Sequence, residues 1–457
     1  MRLCRLCLCL CWRRTLMSFP FWQKPLVRKN SPKLPTTGIY HFEQQKDHSK
    51  NRIHLRVEND GNGLLLVNAA RAYHLNPSAT AMAYWKLSEY TENEILNSLT
   101  NHFEIEDNQL IPEAKSFLAQ MDVLTDPDES CPLCQLDLDM DLPFSHTPSA
   151  PYRMDLALTY QCNNDCTHCY NARSRNFPSL TENDWYKVID KIWKLSIPHI
   201  VFTGGEPTLC EYLPDLIQYA ENKGIITGIN TNGRKLANES FLTQLVVAGL
   251  DHIQITLESS NPHIHDQMVN FPGAWEETVS GIKNVLQKEV YMMTNTTMLK
   301  TNYIEIPQTL DFLAELGVPT VGLNALIYSG KGKDVGTGLS ETQLSPLLEI
   351  AKEKTIMNNQ KLIWYTPTHY CRFNPITHDL GVKGCSAALY NMCIEPNGDV
   401  LPCQSYYYPL GNILKNSWNS IWNHELSLQL RERKSLPQKC NQCELIQECG
   451  GGCPLSN

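Results

Sequence analysis

The sequence predicts an α/β protein: a partial (β/α)6 TIM-type barrel, preceded by a winged-helix-like domain and followed by a cysteine-rich iron–sulfur domain. Three observations carry this. From 151 to about 345, apolar runs of strand length alternate with amphipathic helical patterns. Between 51 and 126, three short strand patterns precede three helical ones. Eight of the 18 cysteines fall between 371 and 453. With 457 residues and 42% apolar composition the chain can build two to four cores. A net charge of −9 argues against general nucleic-acid binding. No segment is long and apolar enough to span a membrane.

Residues 1–50 are expected to form a flexible arm. The first sixteen are basic, with Cys4, Cys7, Cys9 and Cys11 among leucines. That apolar run is short for a signal peptide and lacks a small-residue cleavage site, so Met17 is the expected initiator. Residues 17–50 carry prolines and an excess of Lys and Arg. Ordered structure is expected from about Arg52. Residues 53–57 alternate as a half-buried strand does, Gly61-Asn62-Gly63 is a turn, and 64–67 and 72–75 are further strands. Asn76-Pro77 is a cap followed by proline in the first helical turn, and Thr91 with Glu94 spells a capping box. A third helix covers about 112–124. Residues 127–150 form an acidic linker, whose Cys131-Pro132-Leu133-Cys134 has no assigned role.

The barrel, 151–345, has strand candidates at 154–159, 199–203, 226–230, 253–257, 292–298 and 320–325. One intervening helix carries Trp185, Val188, Ile189 and Ile192; another carries Trp275, Val279, Ile282 and Leu286. That is the 3.6-residue period of a helix with one buried face. Parallel strands with crossover helices place a site at the strands' C-terminal ends. Cys162, Cys166 and Cys169, spaced C-x3-C-x2-C, follow the first strand directly. Thiolates select iron–sulfur or zinc sites. Three cysteines on a 4Fe–4S cluster leave one iron open to a small molecule.

The cysteine run, followed after the second strand by Gly204-Gly205-Glu206-Pro207, resembles the signature of the radical S-adenosylmethionine (radical SAM) enzymes. The resemblance implies that the open iron chelates S-adenosylmethionine, and that reduction yields a 5′-deoxyadenosyl radical which takes hydrogen from the substrate. It places His168 at the motif's aromatic position. It gives Gly204, Gly205 and Glu206 the cofactor's amino group, and makes Asn232, Thr256 and Glu258 candidate ribose or carboxylate contacts. Many relatives also use a downstream Arg near a His-Asp pair; none stands beside His265-Asp266 here. The methionine carboxylate is therefore left without an assigned partner.

In the tail, 346–457, Cys385, Gly398 and Cys403 precede Cys440, Cys443, Cys449 and Cys453, the last four spaced C-x2-C-x5-C-x3-C. This resembles the SPASM extension of radical SAM enzymes and implies two auxiliary 4Fe–4S clusters. The trailing cysteine of that pattern is missing, and Cys371 is the expected substitute. Cys393, in a core-like strand, is weighed toward ligand over core. Cys210, on a helix start, is expected to be core. Sulfatase-maturating relatives carry Asp after the cysteine matching Cys403; Gln404 here argues against formylglycine formation.

Residues 50–126 resemble the PqqD-type domain, or RiPP recognition element, which binds the leader of a ribosomal peptide precursor by strand addition. The expected function is thus a radical SAM peptide maturase that installs a thioether, C–C or C–O cross-link in a precursor held through its leader. Its electron donor would be a flavodoxin or ferredoxin-like protein. Cysteines clustered at metal-ligand spacings fit a reducing cytoplasm. The alternatives are a radical SAM enzyme acting on a small molecule in cofactor or tetrapyrrole biosynthesis, and a non-enzymatic iron–sulfur scaffold.

Overall fold

The computed structural model describes residues 32–46, 49–103, 107–126, 144–434, 436, 438–440 and 442–456. The first sixteen residues and the Cys131/Cys134 pair lie outside these. The chain divides into two units: Met1–Asp141 with Lys194–Pro198, and Leu142–Trp193 with His199–Asn457.

The first unit holds a four-stranded antiparallel sheet, β1 (Gly38–Lys46), β2 (Ser49–Val57), β3 (Gly63–Val67) and β4 (Arg71–Leu75), in that spatial order. The expectation of three strands after an arm is corrected here. β1 lies inside the expected arm and pairs along its whole length with β2, from Gly38 opposite Val57 to Lys46 opposite Ser49. Its polar composition hides it: among its described side chains, Tyr40 and Phe42 are the ones that pack on the apolar core. The edge strands are β1 and β4. Three helices follow: α1 (Pro77–Leu87), α2 (Glu92–His102) and α3 (Asp107–Thr125).

Both expected caps form. The Asn76 side chain accepts from the Ala79 N–H at 2.9 Å. Thr91 and Glu94 make a reciprocal capping box. α3 begins more than a turn before Pro112, which lies within it. Ile53, Leu55 and Val57 of β2, with Leu65 and Val67 of β3, form one apolar core with Ala79, Ala83, Met121 and Leu124. Trp85, Ile95, Leu99 and Leu118 bind the three helices together in a second.

The second unit is built on a nine-stranded sheet. Six parallel strands, β5 (Arg153–Thr159), β6 (His199–Gly204), β7 (Ile226–Thr231), β8 (His252–Thr256), β9 (Tyr291–Thr297) and β10 (Thr320–Asn324), pair in sequence order. They match the expected strands within a residue or two. The sheet is open, as a partial barrel requires. Beyond β10 it gains parallel β11 (Lys361–Trp364). Beyond β5 it gains parallel β12 (Asn391–Ile394), which forms a hairpin with β13 (Val400–Leu401). The sheet therefore crosses the boundary expected at 345. These added strands are four residues or shorter, too short to show a period.

Crossover helices cover the sheet. In α4 (Glu182–Lys194) the buried residues are Trp185, Val188, Ile189 and Ile192. In α8 (Ala274–Val285) they include Val279 and Ile282. The end of the expected linker belongs to this unit: Ala150 is buried, and the Trp418 indole N–H donates to the Ser149 carbonyl at 3.0 Å. Among the described residues, no helix is long and apolar enough to cross a membrane.

Candidate active site

β5 ends at Thr159, and the chain turns into the loop that bears Cys162, Cys166 and Cys169. All three thiols are free and half-buried. Burial pushes the Cys162 thiol up to about 11, and neighbouring Glu206 and Cys169 add to the rise. Cys166 and Cys169 are raised as well, burial again first.

Four cationic or backbone anchors hold this loop from outside. Arg175 donates to the carbonyls of Cys162 and Asn164 and pairs with Asp165 at 2.9 Å. Lys331, beyond β10, pairs with the same carboxylate at 2.6 Å. Arg234, just past β7, donates to the Asn163 carbonyl and to Asn164 Oδ1 while pairing with Glu277 and lying over the Phe271 ring. The N–H groups of Asp165 and Thr167 donate to the Val269 and Met268 carbonyls, at the end of helix α7 (Pro262–Val269).

The Gly204-Gly205-Glu206 turn packs on the same loop. The Gly205 N–H donates to Thr159 O at 2.7 Å and the Glu206 N–H to Gln161 O at 2.8 Å. Gly204 has φ +134°, a conformation that favours glycine. A Cβ at Gly205 would lie 2.3 Å from Gln161 O and 2.6 Å from Tyr160 O. Those neighbours are backbone and cannot swing aside. Gly205→Ala is therefore expected to displace the cysteine loop, lowering retained iron and weakening S-adenosylmethionine binding at least tenfold, on the order of 1.4 kcal/mol. Iron assay and cofactor titration check this.

Glu206 is buried, and its carboxylate accepts from the Thr208 N–H and hydroxyl, the Thr231 hydroxyl at 2.6 Å and the Asn232 N–H at 2.8 Å. It ties the end of β6 to the end of β7. Asn232 donates through its amide to Asn163 Oδ1 at 2.6 Å, so it too supports the cysteine loop. Thr256, the last residue of β8, is half-buried. Glu258, two residues on, is buried and sits 2.9 Å from His168 Nε2.

The cysteine loop also reaches the C-terminal hairpin. Arg173 makes a two-pronged pair with Glu395, at 2.7 and 2.8 Å, and lies between the Phe177 and Tyr407 rings. Glu395 is fully buried at the end of β12 and accepts from Tyr160 at 3.1 Å as well. The Tyr170 hydroxyl donates to Gln404 Oε1 at 3.3 Å. Cys169 and Cys403 are thus neighbours of residues in direct contact.

The tail cysteines fall into groups. Cys385, Cys403 and Cys453 lie within electrostatic range of one another. Burial raises Cys385 to about 11 and Cys403 to about 12; Cys453 adds to both rises and Cys385 to that of Cys403. Cys440 and Cys443 share a turn, the Cys443 N–H donating to Cys440 O, and Cys449 ends the short helix Ile446–Cys449. Cys371 is exposed, and its neighbour Tyr370 donates its N–H to Cys449 Sγ at 3.4 Å. Cys393 is a correction. It pairs with Asp155 of β5 and Leu401 of β13 inside the sheet, 1% exposed, among Ala157, Tyr160 and Leu401. It is a small apolar core residue rather than a ligand. Cys210 is buried, as expected.

Comparison with known proteins agrees with this geometry. Residues 156–329 match the Radical SAM superfamily and residues 385–444 the SPASM iron–sulfur cluster-binding domain. The chain carries a radical SAM enzyme domain. An AdoMet-dependent heme synthase of Methanosarcina barkeri is 28% identical over 66% of this chain and 91% of its own length. An Fe-coproporphyrin III synthase of the same organism is 27% identical over 64% and 81%. In fold, Streptococcus suis SuiB bound to precursor peptide SuiA covers 88% of this chain and 94% of its own, with TM-score 0.67 and 17% identity. The anSMEcpe structure with AdoMet and Cp18Cys peptide covers 67% and 89%, with TM-score 0.53 and 17% identity.

The cofactors of this radical SAM enzyme are S-adenosylmethionine and 4Fe–4S clusters, and its residues fit them. The first donor set is three soft thiols and nothing else, each burdened by burial and by its neighbours until a cationic cluster is present. Among the described residues, no three His, Cys, Asp or Glu side chains converge closely enough to hold a single metal ion. The two glycines let the turn after β6 pack directly on the backbone of the cysteine loop, at Thr159 and Gln161, where a Cβ would not fit.

Sequence reasoning missed the anchors: Arg173, Arg175, Arg234, Lys331 and Glu395. Arg234 had a signal, since it follows Asn232-Gly233 at a strand end. Glu395 had none: it stands between a short apolar run and the turn Pro396-Asn397-Gly398, where a carboxylate reads as solvated.

Proposed function

We propose that this chain is a radical SAM peptide maturase, which abstracts hydrogen from a ribosomally made precursor and joins the resulting carbon in a thioether, C–C or C–O cross-link. The observation that carries this is the separate N-terminal unit. It has an antiparallel sheet whose edge strands are β1 and β4, and a three-helix pack of its own. Such an edge accepts an extended peptide by backbone hydrogen bonding. The heme-synthase relatives match 64–66% of the chain, whereas the fold of SuiB spans 88%.

Bound at Cys162, Cys166 and Cys169, the cluster and S-adenosylmethionine supply the hydrogen-abstracting radical. The protein's own part is positional. Arg175, Arg234 and Lys331 fix the loop, and Glu206 aligns the turn against it. Gly204 and Gly205 offer backbone for the cofactor's amino group. Cys385, Cys403 and Cys453 are assigned to one auxiliary cluster, and Cys440, Cys443 and Cys449 with Cys371 to the other. Tethering a leader raises the core peptide's local concentration at the strand ends.

A second reading has its own support: curated relatives at 25–28% identity are named for heme and Fe-coproporphyrin III synthesis. One experiment separates the two. Reconstituted, chemically reduced enzyme is incubated with S-adenosylmethionine and either Fe-coproporphyrin III or any short peptide encoded beside its gene. The peptide reading expects a 2 Da loss on a peptide per cross-link, about two hydrogens removed for one bond formed. Conversion of the porphyrin with every peptide unchanged would overturn it.

A further inference from the structure

We infer that Glu258 is a positioning residue rather than a cofactor contact: it fixes the ring of His168 so that Nδ1 hydrogen-bonds the bound S-adenosylmethionine. His168 stands between Cys166 and Cys169, and its side chain is 9% exposed. Its Nε2 lies 2.9 Å from Glu258 Oε1. A carboxylate accepts, so this ring nitrogen carries the proton. The carboxylate is itself immobilised. Its Oε2 accepts from the Thr297 N–H at 2.8 Å. The Glu258 N–H donates to His265 Nδ1 at 3.2 Å, and its carbonyl accepts from Asn302 at 2.7 Å.

The other ring nitrogen, His168 Nδ1, is buried and has no hydrogen-bond partner among the described residues. Buried polar atoms are rarely left so, and the exceptions cluster where a ligand completes them. Here the ring projects from the loop that holds the cluster. S-adenosylmethionine, which chelates that cluster, brings donors in its adenine amine, ribose hydroxyls and amino group. A histidine whose two nitrogens face different partners has its tautomer set by the stronger one. Glu258 is that partner, and it lies at the end of β8, an element separate from the cysteine loop.

The test uses the full, anaerobically reconstituted enzyme without substrate, so its failure is distinct from failure of the peptide reading. S-adenosylmethionine is titrated by the change it makes in the EPR spectrum of the reduced protein. In Glu258→Gln the amide must turn its oxygen to the Thr297 N–H and its NH2 to Nε2. That forces the ring proton to Nδ1. Glu258→Gln and His168→Phe should each raise the dissociation constant about tenfold, the loss of one buried hydrogen bond. The double variant should be no weaker than His168→Phe alone, because both changes act through one ring. Additive losses would overturn the inference, as would unchanged affinity in His168→Phe. Should Glu258→Gln fail to hold iron, His168→Asn decides. Its Oδ1 occupies the place of Nδ1 without reaching Glu258, so it should bind more tightly than His168→Phe; equal affinity would overturn the inference.

Discussion

Replacing Cys162, Cys166 and Cys169 together by Ala should abolish S-adenosylmethionine cleavage and remove about four iron atoms per chain, one 4Fe–4S cluster's worth. Of the site's residues these have the least redundancy. Among the described residues no other thiol is grouped with them; the next along the chain, Cys210, is buried at the end of the short helix that follows the Gly205 turn. Iron should fall from about twelve to about eight atoms, the auxiliary clusters remaining. The charges that act on Cys385 and Cys403 belong to Cys385, Cys453 and Arg433, all within the tail. The measurement is anaerobic iron and sulfide assay beside 5′-deoxyadenosine release. Cleavage by the triple variant would contradict the assignment of the catalytic cluster.

The second large effect belongs to the N-terminal unit. Deleting residues 1–126 should leave slow, substrate-independent S-adenosylmethionine cleavage largely intact but depress processing of a full-length precursor by about a hundredfold. That is the lower end of the gain expected from tethering. The same deletion should have little effect on a core peptide supplied without its leader at high concentration. Rates on both substrates, with size-exclusion profiles to establish that the shortened protein is monodisperse, check this. Equal loss on both substrates would point to a structural role for the unit.

What the sequence made legible is what it encodes over short distances. The cysteine loop, the Gly204–Glu206 turn, the Asn76 and Thr91 caps and six barrel strands each announce themselves within a dozen residues. What it concealed is what arrives from elsewhere. Arg234 reaches Asn163 from 71 residues away, and Lys331 reaches Asp165 from 166. Glu258 was legible as a strand-end carboxylate, yet its partner, His168, lies 90 residues back. Charge and position alone therefore suggested a ligand contact. Cys393 shows the converse. Its spacing among other cysteines suggested a ligand, while its place between two paired strands makes it core. β1 was hidden because its pairing with β2 is a backbone matter, and its side chains carry little apolar signal.

The Arg173–Glu395 pair has a consequence for how the protein is made. Its two partners are 222 residues apart in the chain. At about 5–20 residues per second of synthesis, the cysteine loop leaves the ribosome roughly 10–45 seconds before the carboxylate that clamps it exists. β12, which forms the sheet's continuation beside β5, is equally late. During that interval Cys162, Cys166 and Cys169 belong to a nascent chain whose first barrel strand has one neighbour and an open flank. A cluster inserted before the hairpin arrives would sit in an unclamped loop, and one inserted afterwards would enter a clamped one.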